Sequence, residues 1–187
     1  INYVVDNIIV KKVNLLKDDN KVVNNPLYSC DNYTVNVKLN DNSVCEISLH
    51  DYLLSMLFEK YNVNYNVEVL KCICILYNTY AYRCMSTDKY ILADNYFSFY
   101  KPLKYYKDKY PTYNDLIKFF DSIIKSVDCI FMSYNNQFIL PFIHYSNSGK
   151  TITNIKYPYL SSVSSLWDIL SPSYIQTQEF SFEEFNK

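Results

Sequence analysis

The clearest change of period lies between Thr112 and His144, where the apolar spacing passes from helical to strand-like within a few residues. Leu116, Phe119, Phe120, Ile123, Ile124 and Val127 fall at i, i+3, i+4, i+7, i+8 and i+11, one wide stripe on a helix. Thr112 and Asp115 stand where a capping pair would satisfy the first free N–H groups. Beyond Val127, Cys129 to Tyr134, the pair Asn135-Asn136 and Gln137 to Leu140 predict a hairpin, because asparagine tolerates the positive φ of a tight turn. Pro141 removes a ladder donor from the second arm, which puts that strand at a sheet edge or a bulge.

Upstream, Ile8 to Val10 and Val13 to Leu16 read as short strands. Tyr33 to Leu39 and Val44 to Leu49 form a hairpin across Asn40-Asp41-Asn42-Ser43, with Val35, Val37 and Leu39 alternating with polar residues. Ser48 and Asp51 cap a following helix whose apolar face is Leu53, Leu54, Leu57, Phe58 and Tyr61. Tyr65 to Leu76 is rich in β-formers and reads as a strand, and Tyr80 to Met85 pairs with Lys89 to Ala93 over Ser86-Thr87-Asp88. Lys101 to Pro111, rich in Lys and Tyr and bounded by prolines, reads as a linker. Thr151 to Tyr157 reads as a strand, and Ser162 to Leu170 as a short helix stopped by Pro172. Together these elements predict an α+β fold: a mostly antiparallel sheet of hairpins, two amphipathic helices on one face, and a short C-terminal helix. Residues 1–175 are read as one domain, and 176–187, in which aromatic and acidic residues alternate, as a tail.

Charge narrows the partners. Eighteen basic against 19 acidic residues leave a net charge of −1, so no global field draws the chain to nucleic acid or anionic lipid. No apolar run approaches the roughly 20 residues of a membrane-spanning helix. Composition is skewed in one direction, with one Gly, one Arg (Arg83) and 21 Tyr. The scarce residues have GC-rich codons, so the skew reads as pressure from an AT-rich genome, of the kind found in some viruses and parasites. Phosphate-cradling glycine loops are excluded, because Gly149 has no second glycine within reach.

Six cysteines leave the compartment open between a secreted or surface protein with three bridges and a cytoplasmic one with free thiols. Cys72 and Cys74, read as lying on one strand face, are weak zinc ligands with Cys84 as a third. Cys129 and His144 are the conceivable thiol and base of a cysteine-dependent hydrolase. Lys101, Lys104 and Lys107 interleave with Tyr105 and Tyr106, a mixture that can neutralise phosphates while stacking single-stranded bases. No cofactor is implied. The leading functional reading is a non-enzymatic protein-binding module of a virus or parasite, engaged in host–pathogen interaction and part of a larger protein or complex. Its partner is another protein, and Phe180, Phe182 and Phe185 are the docking residues. The single-stranded nucleic-acid binder and the hydrolase are the alternatives.

Overall fold

The computed structural model describes residues 3–5, 8–12, 33–95, 97–143, 147, 149–170 and 181. Cys30, His144, Phe180, Phe182 and Phe185 lie outside these residues. The chain divides into two compact units, Ile1–Phe142 and Ile143–Lys187.

The first unit is mixed α+β, as the hydrophobic pattern predicts. Strands β1 (Tyr3–Val5), β2 (Ile8–Lys12), β6 (Ile130–Tyr134) and β7 (Gln137–Phe138) form one antiparallel sheet in the order β1-β2-β6-β7. A second sheet has the order β4-β3-β5, with β3 (Thr34–Lys38) antiparallel to β4 (Val44–Ser48) and parallel to β5 (Ile91–Leu92). The β6–β7 hairpin turns at Asn135 and Asn136, with φ of 49° and 60°, so two asparagines supply the left-handed backbone that a two-residue turn needs. The second arm ends at Phe138, on the sheet edge and short of Pro141.

Strand β4 runs directly into α1 (Leu49–Lys60), whose N-cap Ser48 accepts a hydrogen bond from the Asp51 N–H at 3.0 Å. The helix is buried on almost every side from Tyr52 to Phe58, so it is a core helix and its apolar surface is wider than the predicted stripe. Helix α4 (Tyr113–Ser126) is amphipathic and buries Phe120, Ile123 and Ile124. Its Thr112 side chain makes no capping bond. The start is closed instead by the Asp115 and Leu116 N–H groups on the Thr112 carbonyl, both at 3.1 Å.

The largest departure from the sequence reading is α2 (Val67–Thr87), a single 21-residue helix where a strand and a hairpin arm were expected. Leu70, Ile73, Cys74, Tyr77, Asn78, Ala81 and Cys84 are buried at i, i+3, i+4, i+7, i+8, i+11 and i+14. Helical period prevails here over the β-propensity of Val, Ile and Tyr, because propensity is a weak prior once a face is buried. Asn66 caps the helix, its Oδ1 accepting from Glu68 N–H at 2.8 Å. At the other end Lys89, with φ of 66°, returns its N–H to the Cys84 carbonyl at 3.0 Å.

Helix α2 packs against α1, α4, β3 and β5 as well as β6 and β7, which makes it the element shared by both sheets. Its polar residues bind the sheet. Thr79 Oγ1 accepts from Met132 N–H at 3.0 Å, Asn78 Nδ2 donates to the Ile130 carbonyl at 3.2 Å, and Arg83 Nη1 donates to the Phe138 carbonyl at 3.3 Å. The expected linker is also helical, as α3 (Leu103–Lys109). Tyr106 on its inner side is fully buried and stacks on Phe58 with ring centroids 5.2 Å apart.

In the second unit Gly149, at φ 96°, makes a turn that a residue with a Cβ would strain. Lys150 bridges Ser164, but Thr151 to Tyr157 forms no strand, and the expected helix is a 3-10 turn, Leu166–Leu170. Asn147 ties the turn together: its N–H donates to Asp168 Oδ2 at 2.9 Å, and its Oδ1 accepts from Ser165 Oγ at 2.6 Å.

Candidate functional site

A cleft of about 370 Å³ opens in the first unit between the β3–β4 turn, the C-terminal end of α1 and the segment 93–101. Glu59, in the last turn of α1, is one of its lining residues. A carboxylate there faces the negative end of the helix dipole and needs a cation. Lys101 supplies it, with Nζ 2.9 Å from Glu59 Oε1, while the Tyr106 hydroxyl donates to Oε2 at 3.1 Å.

The surrounding chain is fixed by Ser55, one turn earlier on α1. Its Oγ accepts from the Lys101 N–H at 3.0 Å and donates to the Lys101 carbonyl at 2.8 Å, so one buried hydroxyl serves both backbone groups of that residue. Glu59 holds the Lys101 ammonium above its ordinary value. Burial pushes the Tyr106 phenol well above the usual tyrosine range. At neutral pH Lys101 is therefore an ammonium and Tyr106 a neutral phenol. The remaining walls are Leu39, Asn40, Ala93, Asp94, Phe99 and Tyr100.

A smaller polar cluster joins α1 to α4. His50 Nε2 lies 2.9 Å from Asp121 Oδ1, and Lys125 Nζ lies 2.9 Å from Asp121 Oδ2. The Lys125 bond, opposed by partial burial and helped by His50, holds the Asp121 carboxyl below its ordinary value. Beside this cluster is a cavity of about 10 Å³, bounded in part by His50, Asn78 and Asp128, which is the size of one water. Asn78 Oδ1, deeply buried, has no hydrogen-bond partner there among the described residues.

The residues singled out in the sequence are dispersed. Cys72 and Cys74 lie on helix α2, not on a strand; at i, i+2 on a helix they leave on different sides, Cys72 exposed and Cys74 buried. Cys84 is ten residues farther along, about 15 Å of helix axis from Cys74. No three His, Cys, Asp or Glu residues among those described converge as metal ligands. Cys45, Cys72, Cys74 and Cys84 are free thiols. Burial raises Cys74 to about 12 and also raises Cys84, which removes nucleophilic character. Cys129 is buried, with Sγ 3.5 Å from Asp128 Oδ1, and its expected base His144 lies outside the described residues.

Tyr106 is part of the core and offers no face to a base, while the Tyr105 ring carries Lys101 at 4.7 Å and Lys109 at 5.5 Å. Lys104 and Lys107 are exposed on α3. Among the described residues no helix is long and apolar enough to cross a membrane. The sequence reading missed Glu59, Ser55 and Asp94. The available signal was an acid near the C-terminal end of an apolar helix, where the dipole opposes it.

No family model matches the chain. It is similar to two curated bacterial proteins, each called stage II sporulation protein D. One is from Bacillus subtilis, 28% identical over 159 residues covering 78% of this chain and 46% of that protein. The other is from Bacillus amyloliquefaciens, 26% identical over 164 residues covering 80% of this chain and 48% of that protein. The chain spans about half the length of these relatives. The similarity corrects the sequence reading of a viral or parasite protein-binding module in host–pathogen interaction, because both relatives are bacterial sporulation proteins. Codon skew reports the base composition of a genome and says nothing of its lineage.

Proposed function

We propose that the chain works in bacterial sporulation as one portion of a longer protein, with the Glu59 cleft as its working surface. The similarity to proteins named for sporulation, extending over more than three quarters of the chain, carries this reading. The cleft supports it as a place to work. Glu59 is held through both oxygens by Lys101 and Tyr106, so its orientation is set before any ligand arrives.

The test is a chimera in Bacillus subtilis deprived of its own stage II sporulation protein D, with this chain replacing the matching portion. The chimera is expected to raise the yield of heat-resistant spores above that of the deprived strain. A chimera that accumulates normally while the yield stays at the deprived level overturns the role in sporulation. The Glu59→Ala chimera, present in equal amount, is expected to fall back toward the deprived strain. If it matches the intact chimera, the cleft is not the working surface.

A further inference from the structure

One half of the cleft is paired within the protein and the other faces solvent. Glu59 spends its oxygens on Lys101 and Tyr106, so the one ammonium in the lining is neutralised. The Asp94 carboxylate and the Asn40 amide, both exposed, line the same space, and among the described residues neither side chain has a hydrogen-bonding or ion-pairing partner. Asp94 is therefore the uncompensated charge of the lining.

Its position is fixed by the backbone. Asp94 pairs antiparallel with Phe99, and Asn95 Oδ1 closes the turn between them by accepting from Phe97 N–H at 2.7 Å and Ser98 N–H at 2.8 Å. Leu39, Ala93 and the Phe99 ring supply apolar wall beside that carboxylate. The same ring already carries a cation, with Lys60 Nζ 3.9 Å from its centroid.

An anion entering this space would meet two carboxylates. A neutral hydrocarbon would strip water from Asp94 without replacing its hydrogen bonds. A primary ammonium offers three donors to these two acceptors and a charge opposite to that of Asp94, and an apolar stem behind it matches the wall. We propose that this half of the cleft binds a primary ammonium group on an apolar stem, with Asp94 as its counter-charge and the Asn40 carbonyl oxygen as a second acceptor. The inference is independent of the role in sporulation. A free amine and the amino terminus of a short peptide present the same chemistry.

The experiment is an NMR titration of the full chain with phenethylamine, with the dipeptide Phe-Ala, and with N-acetylphenethylamine. Both free amines are expected to shift the Asn40 side-chain amide and the backbone amides of Ala93 and Asp94. Acetylation, which removes the charge, is expected to weaken binding about tenfold or more, and Asp94→Asn to do the same for the free amine. Asp94 is exposed and its side chain has no partner among the described residues, so this variant folds. Tighter binding of Phe-Ala than of phenethylamine assigns the site to peptide termini, and the reverse order to free amines. Equal binding of the acetylated probe, binding indifferent to Asp94→Asn, or no shift from either amine at about 10 mM overturns the proposal.

Discussion

Tyr106 does two jobs that substitution can separate. Its ring fills core space against Phe58, and its hydroxyl donates to Glu59. Tyr106→Phe keeps the ring and is expected to cost about 1 kcal/mol, whereas Tyr106→Ala empties the site and is expected to cost about 3–5 kcal/mol. Urea unfolding with unchanged m-values measures both, and equal losses would mean that the hydroxyl, not the ring, holds α3 in place. The cysteines make a second residue-scale case. On the native protein Cys72 is expected to alkylate quickly, and Cys74, Cys84 and Cys129 only when the chain opens, because the first is exposed and the others are buried. Peptide mapping after a short pulse of iodoacetamide reads this directly, and rapid labelling of Cys129 would refute it. Acid is the third lever. The Asp121 carboxyl titrates below its unfolded value of 3.8, so its contribution to stability is complete above that pH and fades as pH falls through the folded value. Asp121→Asn is expected to flatten the acid limb of the stability curve below pH 3.8, as followed by denaturant midpoints.

Among the elements, those with one dominant signal were legible. The α4 stripe from Leu116 to Val127, the Asn135-Asn136 hairpin and the Ser48 cap all stand in the sequence and in the structure. Helix α2 was not, because Val67, Val69, Ile73, Ile75 and Tyr77 have strand-forming side chains and the burial that overrides them is tertiary. Its seven-position helical period was nonetheless readable from Leu70 to Cys84. Helix α3 hid behind its lysines, since only Tyr106 of its seven residues is buried and a single anchor leaves no period to find. The cleft was less legible still: Glu59, Asp94 and Lys101 are brought together by turns, and no spacing in the sequence announces them. Capping gives an element-scale test. Ser48→Ala and Asn66→Ala are each expected to lower stability by about 1 kcal/mol, while Thr112→Ala, whose hydroxyl caps nothing, is expected to change it little. A loss at Thr112 equal to that at Ser48 would refute the cap assignments.

At the scale of the whole molecule the abundant tyrosines are building material. Tyr52, Tyr77 and Tyr106 are among the largest fully buried side chains, in places where other proteins put Leu or Phe. Burial raises Tyr100 to about 12 and Tyr52, Tyr80 and Tyr106 higher still. The unfolded chain ionises its tyrosines near pH 10 while the folded chain keeps these protons, so stability is complete below pH 10 and falls as pH rises beyond it. Absorbance titration is expected to show one class of phenol ionising normally and a second appearing only with alkaline unfolding; a single wave near 10 would contradict it. The single glycine carries a different kind of consequence. Among the described residues Gly149 and the asparagines Asn42, Asn135 and Asn136 suit left-handed backbone, while Lys89 and Cys129 hold that conformation against their side chains. At Lys89, just past the end of α2, glycine is the residue most helices choose. Lys89→Gly is thus expected to be worth about 1 kcal/mol, or about 2–4 °C in Tm for a chain of this size, as read by thermal unfolding. The end of α2 is a place where the backbone asks for a residue the chain does not supply, and the fold could be made more stable there without any new contact.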